Sequence, residues 1–223
     1  ELVHKAATYR LWYSKEGRSV CLSQLELQTI FDLAFRRAKL PMAFSQGFSP
    51  APLLSFGKAL PVGVASRAEW LGLTLREDMD PVEVAARLRG RLPRGMEVLY
   101  AEKLLKHKHL PQAVAEIYTL EFLPPVRQND EVDPVGVASL AAWRTFAAEE
   151  RRPWVRETKK GAREYDLRAF FTEIAALEEH GKEYLRLTFD WKHDYVSPLA
   201  LALAVTPELG VERVLLTKIA QVF

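Results

Sequence analysis

Apolar and polar positions alternate along this chain with two periods, and the switches between them outline the elements. Residues 7–13 (ATYRLWY) alternate as a strand, and Lys15-Glu16-Gly17-Arg18 supplies a turn. Ser23-Gln24-Leu25-Glu26 reads as a capping box. The helix it opens carries Leu27, Ile30, Phe31, Ala34, Phe35 and Ala38 on one face, and Pro41 ends it. A long loop leads through residues 53–60 to a second alternating run at 69–75 (EWLGLTL). Asp80-Pro81 with Glu83 then starts a helix that Pro93 closes, and residues 96–103 form the last strand of this half. The order is β-α-β-β-α-β, the ferredoxin-like unit.

The second half repeats the scheme. Residues 116–123 (EIYTLEFL) alternate, and Asp133-Pro134 caps a helix running to about Glu150. Residues 154–159 and 163–169 are expected to form a hairpin across Lys160-Gly161, with strands following at 171–177 and 183–189. Ser197-Pro198 opens a short helix ending before Pro207, and residues 211–219 close the half. The expected fold is therefore α+β, with two ferredoxin-like halves in tandem, at 1–103 and 114–223. Their sheets are expected to face one another, and a Lys/His-rich linker at 104–113 joins them.

The connection at residues 44–57 departs from an ordinary loop. It holds two glycines, two prolines, three serines and three phenylalanines where a short polar link would have served. Gly47 and Gly57 can take backbone angles closed to other residues, and Pro50 and Pro52 stiffen the path, so backbone N–H groups can be presented to an anion or a base edge. The plainer alternative is a crossover packed on the sheet by Phe44, Phe48 and Phe56.

With 223 residues and 48% hydrophobic content, the chain can bury a sizeable core. No run approaches the roughly 18 apolar residues of a membrane span, so a soluble cytoplasmic protein without a membrane partner is expected. The single cysteine, Cys21, excludes an internal disulfide and an all-cysteine metal site; between Val20 and Leu22 it reads as a buried thiol. The chain does not begin with methionine, which is compatible with a piece of a longer polypeptide.

Charge separates the halves. Residues 1–110 carry 17 Lys and Arg against 11 Asp and Glu, whereas residues 111–223 carry 14 against 18. A basic first half favours phosphate-bearing partners.

Several of these residues together resemble a known family. Tyr13-Ser14-Lys15 with Gly17, Leu22-Ser23-Gln24-Leu25-Glu26-Leu27, Phe35-Arg36-Arg37-Ala38 and Leu40-Pro41 contribute. Above all, Phe44-Ser45-Gln46-Gly47-Phe48-Ser49-Pro50, followed by Ser55-Phe56 and Leu60-Pro61-Val62-Gly63-Val64, is similar to the radical SAM-linked protein family. That is a bacterial domain of unknown function fused to, or encoded beside, B12-binding radical SAM proteins. The match is close over residues 8–103 and looser beyond.

The resemblance implies a non-catalytic accessory role in modifying a substrate. The iron–sulfur cluster, S-adenosylmethionine and, in B12-binding members, cobalamin would belong to the radical SAM partner, and no cofactor to this chain. RNA-processing genes often neighbour the family, which makes tRNA or rRNA the expected substrate. The family usually has histidine and aspartate at the positions of Gln24 and Glu26, and a histidine at Ala51, so any histidine-based site is incomplete here.

The residue chemistry is compatible with RNA. Phe44 or Phe48 can stack on a base, Ser45, Gln46 and Ser49 beside Gly47 can hydrogen-bond, and Lys15, Arg18, Arg36, Arg37 and Lys58 can meet phosphates, with Gln24 nearby. The opposing reading is a solvated basic face in which Arg36 pairs with Asp32. Tandem ferredoxin-like domains also occur in CRISPR-associated repeat-processing endoribonucleases, so an RNA-cleaving enzyme is one alternative; a protein-docking domain is the other.

Further candidates are thinner. His107 and His109 have a metal-like spacing without a flanking carboxylate, and His193-Asp194 beside Tyr195 offers a polar pair. Arg151, Arg152 and Trp154, with Lys159, Lys160 and Arg163, form a second basic patch around the expected hairpin. There is no phosphate-binding glycine loop of the Walker type, no dinucleotide fingerprint and no Gly-x-Ser-x-Gly elbow.

Overall fold

The computed structural model describes residues 3–104, 110–124, 134–158, 161–192 and 194–223. The chain divides into two compact units, Glu1–Ala113 and Val114–Phe223. No described helix is long and apolar enough to cross a membrane.

The first unit runs β1 (Ala7–Lys15), α1 (Gln24–Arg37), β2 (Leu54–Phe56), β3 (Ala65–Leu75), α2 (Pro81–Leu88) and β4 (Met96–Lys103). Its strands lie in the order β4-β1-β3-β2, and every neighbouring pair is antiparallel. Alternation along β1 sends Tyr9, Leu11 and Tyr13 into one core with Phe31 and Phe35 of α1, Leu71 and Leu73 of β3, and Val84 and Leu88 of α2. Tyr13 meets Phe31 edge to face at 4.8 Å between ring centroids, so truncating Phe31 would lose about 3–5 kcal/mol. On the other face of the strands, Trp12, Ala68 and Trp70 form a smaller cluster, with the Arg10 guanidinium 4.9 Å from the Trp70 ring.

Local sequence explains the helix starts. The Ser23 N–H donates to Glu26 Oε2 at 2.8 Å while Ser23 Oγ accepts from the Glu26 N–H, which completes the capping box. Asp80 Oδ1 accepts from the Val82 N–H at 2.7 Å, with Pro81 at the first helical position.

Three expectations for this unit change. Helix α2 stops at Leu88, not near Pro93: Arg89 leaves helical geometry at ψ 132° and Gly90 follows at φ 69°, so residues 90–95 form a loop. Strand β3 begins at Ala65, because Ser66 pairs with Lys15 of β1 although its neighbourhood does not alternate cleanly. Cys21 is exposed, because it ends a 3-10 turn at Gly17–Cys21 rather than sitting within a buried strand.

The second unit runs β5 (Ala115–Phe122), α3 (Pro134–Ala148), β6 (Pro153–Thr158), β7 (Gly161–Asp166), β8 (Phe171–Glu179), β9 (Lys182–Asp190), α4 (Pro198–Val205) and β10 (Val214–Val222). Its sheet has the order β10-β5-β9-β8, again antiparallel throughout, and β6–β7 forms a separate two-stranded hairpin. His180 and Gly181, at φ 51° and 74°, make the tight turn between β8 and β9.

Tyr118, Trp143, Phe146, Phe171, Leu187 and Phe189 are all buried, with Phe171 packed edge to face on both Trp143 and Phe146. The last strand starts later than its alternation suggests, since Val211–Arg213 is a 3-10 turn. The expected cap Asp133 lies outside the described residues.

Candidate functional site

The 44–57 segment is a hairpin-like projection with an anchored base and an exposed tip. Met42 bridges to Leu75 and Phe44 to Pro52, and the Ser45 N–H donates to the Ala51 carbonyl at 2.8 Å. Ser45 Oγ accepts from the Ala51 N–H at 3.1 Å, closing the base a second time. Phe44 is half-buried and packs on the core, which leaves Phe48 as the fully exposed ring of this segment.

Above that closure, Gln46, Gly47, Phe48, Ser49 and Pro50 are exposed, and Phe48 is exposed over its whole side chain. Gly47 holds φ 138°, a backbone angle that side chains rarely adopt. Gly57 does not hold a positive φ; a Cβ there would lie 3.1 Å from the Trp70 ring, which would have to give by a few tenths of an ångström.

The basic residues do not act as one patch. Lys15 is fully buried, and its Nζ donates to the Leu22 carbonyl at 2.8 Å, tying the end of β1 to the segment that enters α1. Burial pushes its ammonium below the ordinary lysine range, with Glu69 opposing that shift. It is therefore a structural tie and not a phosphate contact. Lys58 Nζ donates to the Ala113 carbonyl at 2.8 Å, and Arg36 pairs with Asp32 at 2.9 Å. Gln24 is half-buried at the first residue of α1.

Arg18 and Arg37 meet instead at a cavity of about 550 Å³, together with Arg91 and Arg94. Its walls are the 3-10 turn at Gly17–Cys21, one face of α1 and the loop after α2; Leu22, Ile30, Leu33, Leu92 and Pro93 supply apolar lining. Among the described residues, no carboxylate lines it. None of the four guanidinium groups has a side-chain partner among the described residues, and all four residues are exposed. Of the acids on the adjoining elements, Glu16 pairs with Arg67, Glu26 sits in the capping box, Asp32 pairs with Arg36 and Glu83 with Arg87, while Glu97 of β4 is outside the lining of the cavity.

The walls are tied to each other. Ser19 Oγ donates to the Arg94 carbonyl at 2.8 Å, and the Glu16 N–H donates to the Gly95 carbonyl at 2.7 Å. Gly95 sits at φ 89°, where an added Cβ would lie 2.3 Å from the Glu16 carbonyl oxygen. Only glycine lets the two segments approach this closely.

Residues 8–198 match the model of a family described as an uncharacterized protein conserved in bacteria (DUF2344). The chain belongs to this family. No curated protein is similar to it. Among solved structures, a Cbf5-Nop10-Gar1 complex is similar at 11% identity and TM-score 0.46, covering 96% of this chain and 48% of that one. This chain thus spans about half the length of that structure's chain. A crystal structure of an unknown protein from Galdieria sulphuraria is similar at 10% identity and TM-score 0.25, covering 97% of this chain and 99% of that one.

The described arginines of the second basic patch each lie near a carboxylate. Arg152 donates from Nε to Glu149 Oε2 at 2.7 Å and stacks over Phe146, while Arg151 and Arg163 lie near Asp166 and Asp194. Lys159, Lys160, His107, His109 and His193 lie outside the described residues. Tyr165 donates its hydroxyl to Asp194 at 3.2 Å. Among the described residues, no three His, Cys, Asp or Glu side chains come together in a way that could hold a metal ion.

Arg91 and Arg94 are the site residues that sequence reasoning misses. Their signal lies in residues 87–95 (RLRGRLPRG), where arginines alternate with turn formers, although the helix start at Asp80 and the stop at Pro93 suggest a longer helix.

Proposed function

We propose that this chain is a non-catalytic accessory module that binds RNA, a tRNA or rRNA, for modification by a radical SAM protein, fused to it or separate. In this reading its two units are tandem ferredoxin-like halves. The iron–sulfur cluster, S-adenosylmethionine and, in B12-binding partners, cobalamin belong to the partner, as the resemblance implies.

The observation that carries the RNA reading is the arginine cavity. Among the described residues, four guanidinium groups without a side-chain partner, from three chain segments, line one concavity that no carboxylate lines. Guanidinium groups form bidentate hydrogen bonds to phosphate, and leaving four of them close together without counter-charges is unfavourable in the absence of an anion. Helix C-termini attract a cation each, which accounts for Arg37 at the end of α1 but not for Arg18, Arg91 and Arg94 together. Phe48 adds an aromatic face of the kind on which unpaired bases stack.

The test is fluorescence anisotropy with labelled tRNA. Salt-dependent binding without cleavage, weakened by Arg37→Glu and less affected by Arg36→Glu, supports the proposal. No binding at low salt refutes it; cleavage of the RNA would make the chain an endoribonuclease, and binding to the radical SAM protein alone a docking domain.

A further inference from the structure

We infer that the arginine cavity takes a single terminal nucleotide of the RNA, held by a phosphomonoester at that end. The inference rests on the RNA reading above and names the part of the RNA that this site would hold.

Size is the first ground. A cavity of about 550 Å³ falls within the roughly 300–1,000 Å³ of small-molecule sites, which suits one nucleotide and excludes a duplex. Its lining is mixed in the way a nucleotide requires. Ile30 and Leu33 of α1 face the space beside Leu22 and Leu92, and Leu33 is 45% exposed, so an apolar wall is available to a base.

Charge is the second ground. A phosphodiester carries one negative charge and two free oxygens, whereas a terminal monoester carries a charge of about −1.5 to −2 near neutral pH and three free oxygens. Of the two, the monoester offsets more of the four guanidinium charges around this space and offers them a third oxygen, so it is the better fit. Arginine rather than lysine at all four positions fits the planar, bidentate recognition that a monoester permits.

Rigidity is the third ground. The Ser19–Arg94 and Glu16–Gly95 hydrogen bonds hold the turn and the loop together without any ligand, so two of the three walls are fixed in advance.

One RNA oligomer prepared with a 5′-phosphate, with a 3′-phosphate, or with hydroxyls at both ends tests the inference by anisotropy. One phosphorylated form is expected to bind about tenfold more tightly than the hydroxyl form, and Arg91→Ala with Arg94→Ala is expected to abolish that preference. Arg36→Ala should leave it intact. Adenosine monophosphate should compete where adenosine does not. Equal affinity for all three oligomers, or a preference that survives the double substitution, overturns the terminal-nucleotide assignment while leaving RNA binding in place. Loss of all RNA affinity with nucleotide binding retained removes the RNA reading and keeps the nucleotide site. Urea titration of each variant confirms that it folds.

Discussion

Replacing Gly95 with alanine tests whether the cavity walls are locked as described. At φ 89° any side chain is strained by about 1–2 kcal/mol. The added Cβ would also lie 2.3 Å from the Glu16 carbonyl oxygen, a backbone atom that can move only with its chain. Relieving that overlap pulls apart the 2.7 Å hydrogen bond from the Glu16 N–H to the Gly95 carbonyl, worth about 0.5–1.5 kcal/mol. The total comes to about 1.5–3.5 kcal/mol.

Gly63 is a matched control, because it sits at φ 90° with nothing within 4 Å of its would-be Cβ. The strain then cancels, and the difference between Gly95→Ala and Gly63→Ala isolates the contact with Glu16. Hydrogen exchange read by mass spectrometry in urea follows the first unit separately from the second. Gly95→Ala should lower the stability of the first unit by about 0.5–1.5 kcal/mol more than Gly63→Ala, and should raise exchange around Gly17–Cys21. Equal effects of the two substitutions would refute the reasoning.

Phe48→Ala should leave urea stability within about 0.5 kcal/mol of the parent, because the side chain is fully exposed, yet weaken RNA binding by about 1–3 kcal/mol in anisotropy; unchanged affinity removes the loop tip from the site. The hydroxyl and N–H of Ser23 hold the Glu26 carboxyl below its ordinary value of 4.5, so this group's stabilisation is complete above that value and is lost as pH falls through the lowered folded one. Thermal melts of Glu26→Gln should therefore be lower than the parent's at pH 7 and converge with them in acid. In the second unit, Lys218 Nζ lies 2.9 Å from Glu116 Oε1 with both side chains 1% exposed. Lys218→Met alone should destabilise by about 3–5 kcal/mol in urea by leaving the buried carboxylate without its cation, with the Tyr118 hydroxyl still donating to it, and adding Glu116→Leu should recover most of that loss.

What the sequence shows clearly is what is set within a few residues. The Ser23–Glu26 capping box and the Asp80-Pro81 and Ser197-Pro198 helix starts depend on contacts two to four residues apart, and all three are present. The strand periods are equally local, since alternation follows from the pleat. Lys15 and Cys21 were misread because their environments depend on the 3-10 turn: it folds over the end of β1, burying a lysine and exposing a cysteine. Arg91 and Arg94 reach the cavity only because α2 ends at Leu88 and Gly90 turns the chain, and a single glycine in a helical pattern does not announce a stop. The 44–57 loop stands out in the sequence by its composition, but its division into a packed Phe44 and an exposed Phe48 follows from the bridge between Phe44 and Pro52, which spacing does not reveal.

RNA affinity measured as a function of salt, for the parent and for Arg91→Ala with Arg94→Ala, tests the central claim most directly. The account predicts binding that weakens linearly in a log–log plot, with the slope of the double variant shallower by about one to two units. Identical slopes, or no RNA binding by the parent at about 50 mM salt, would contradict it.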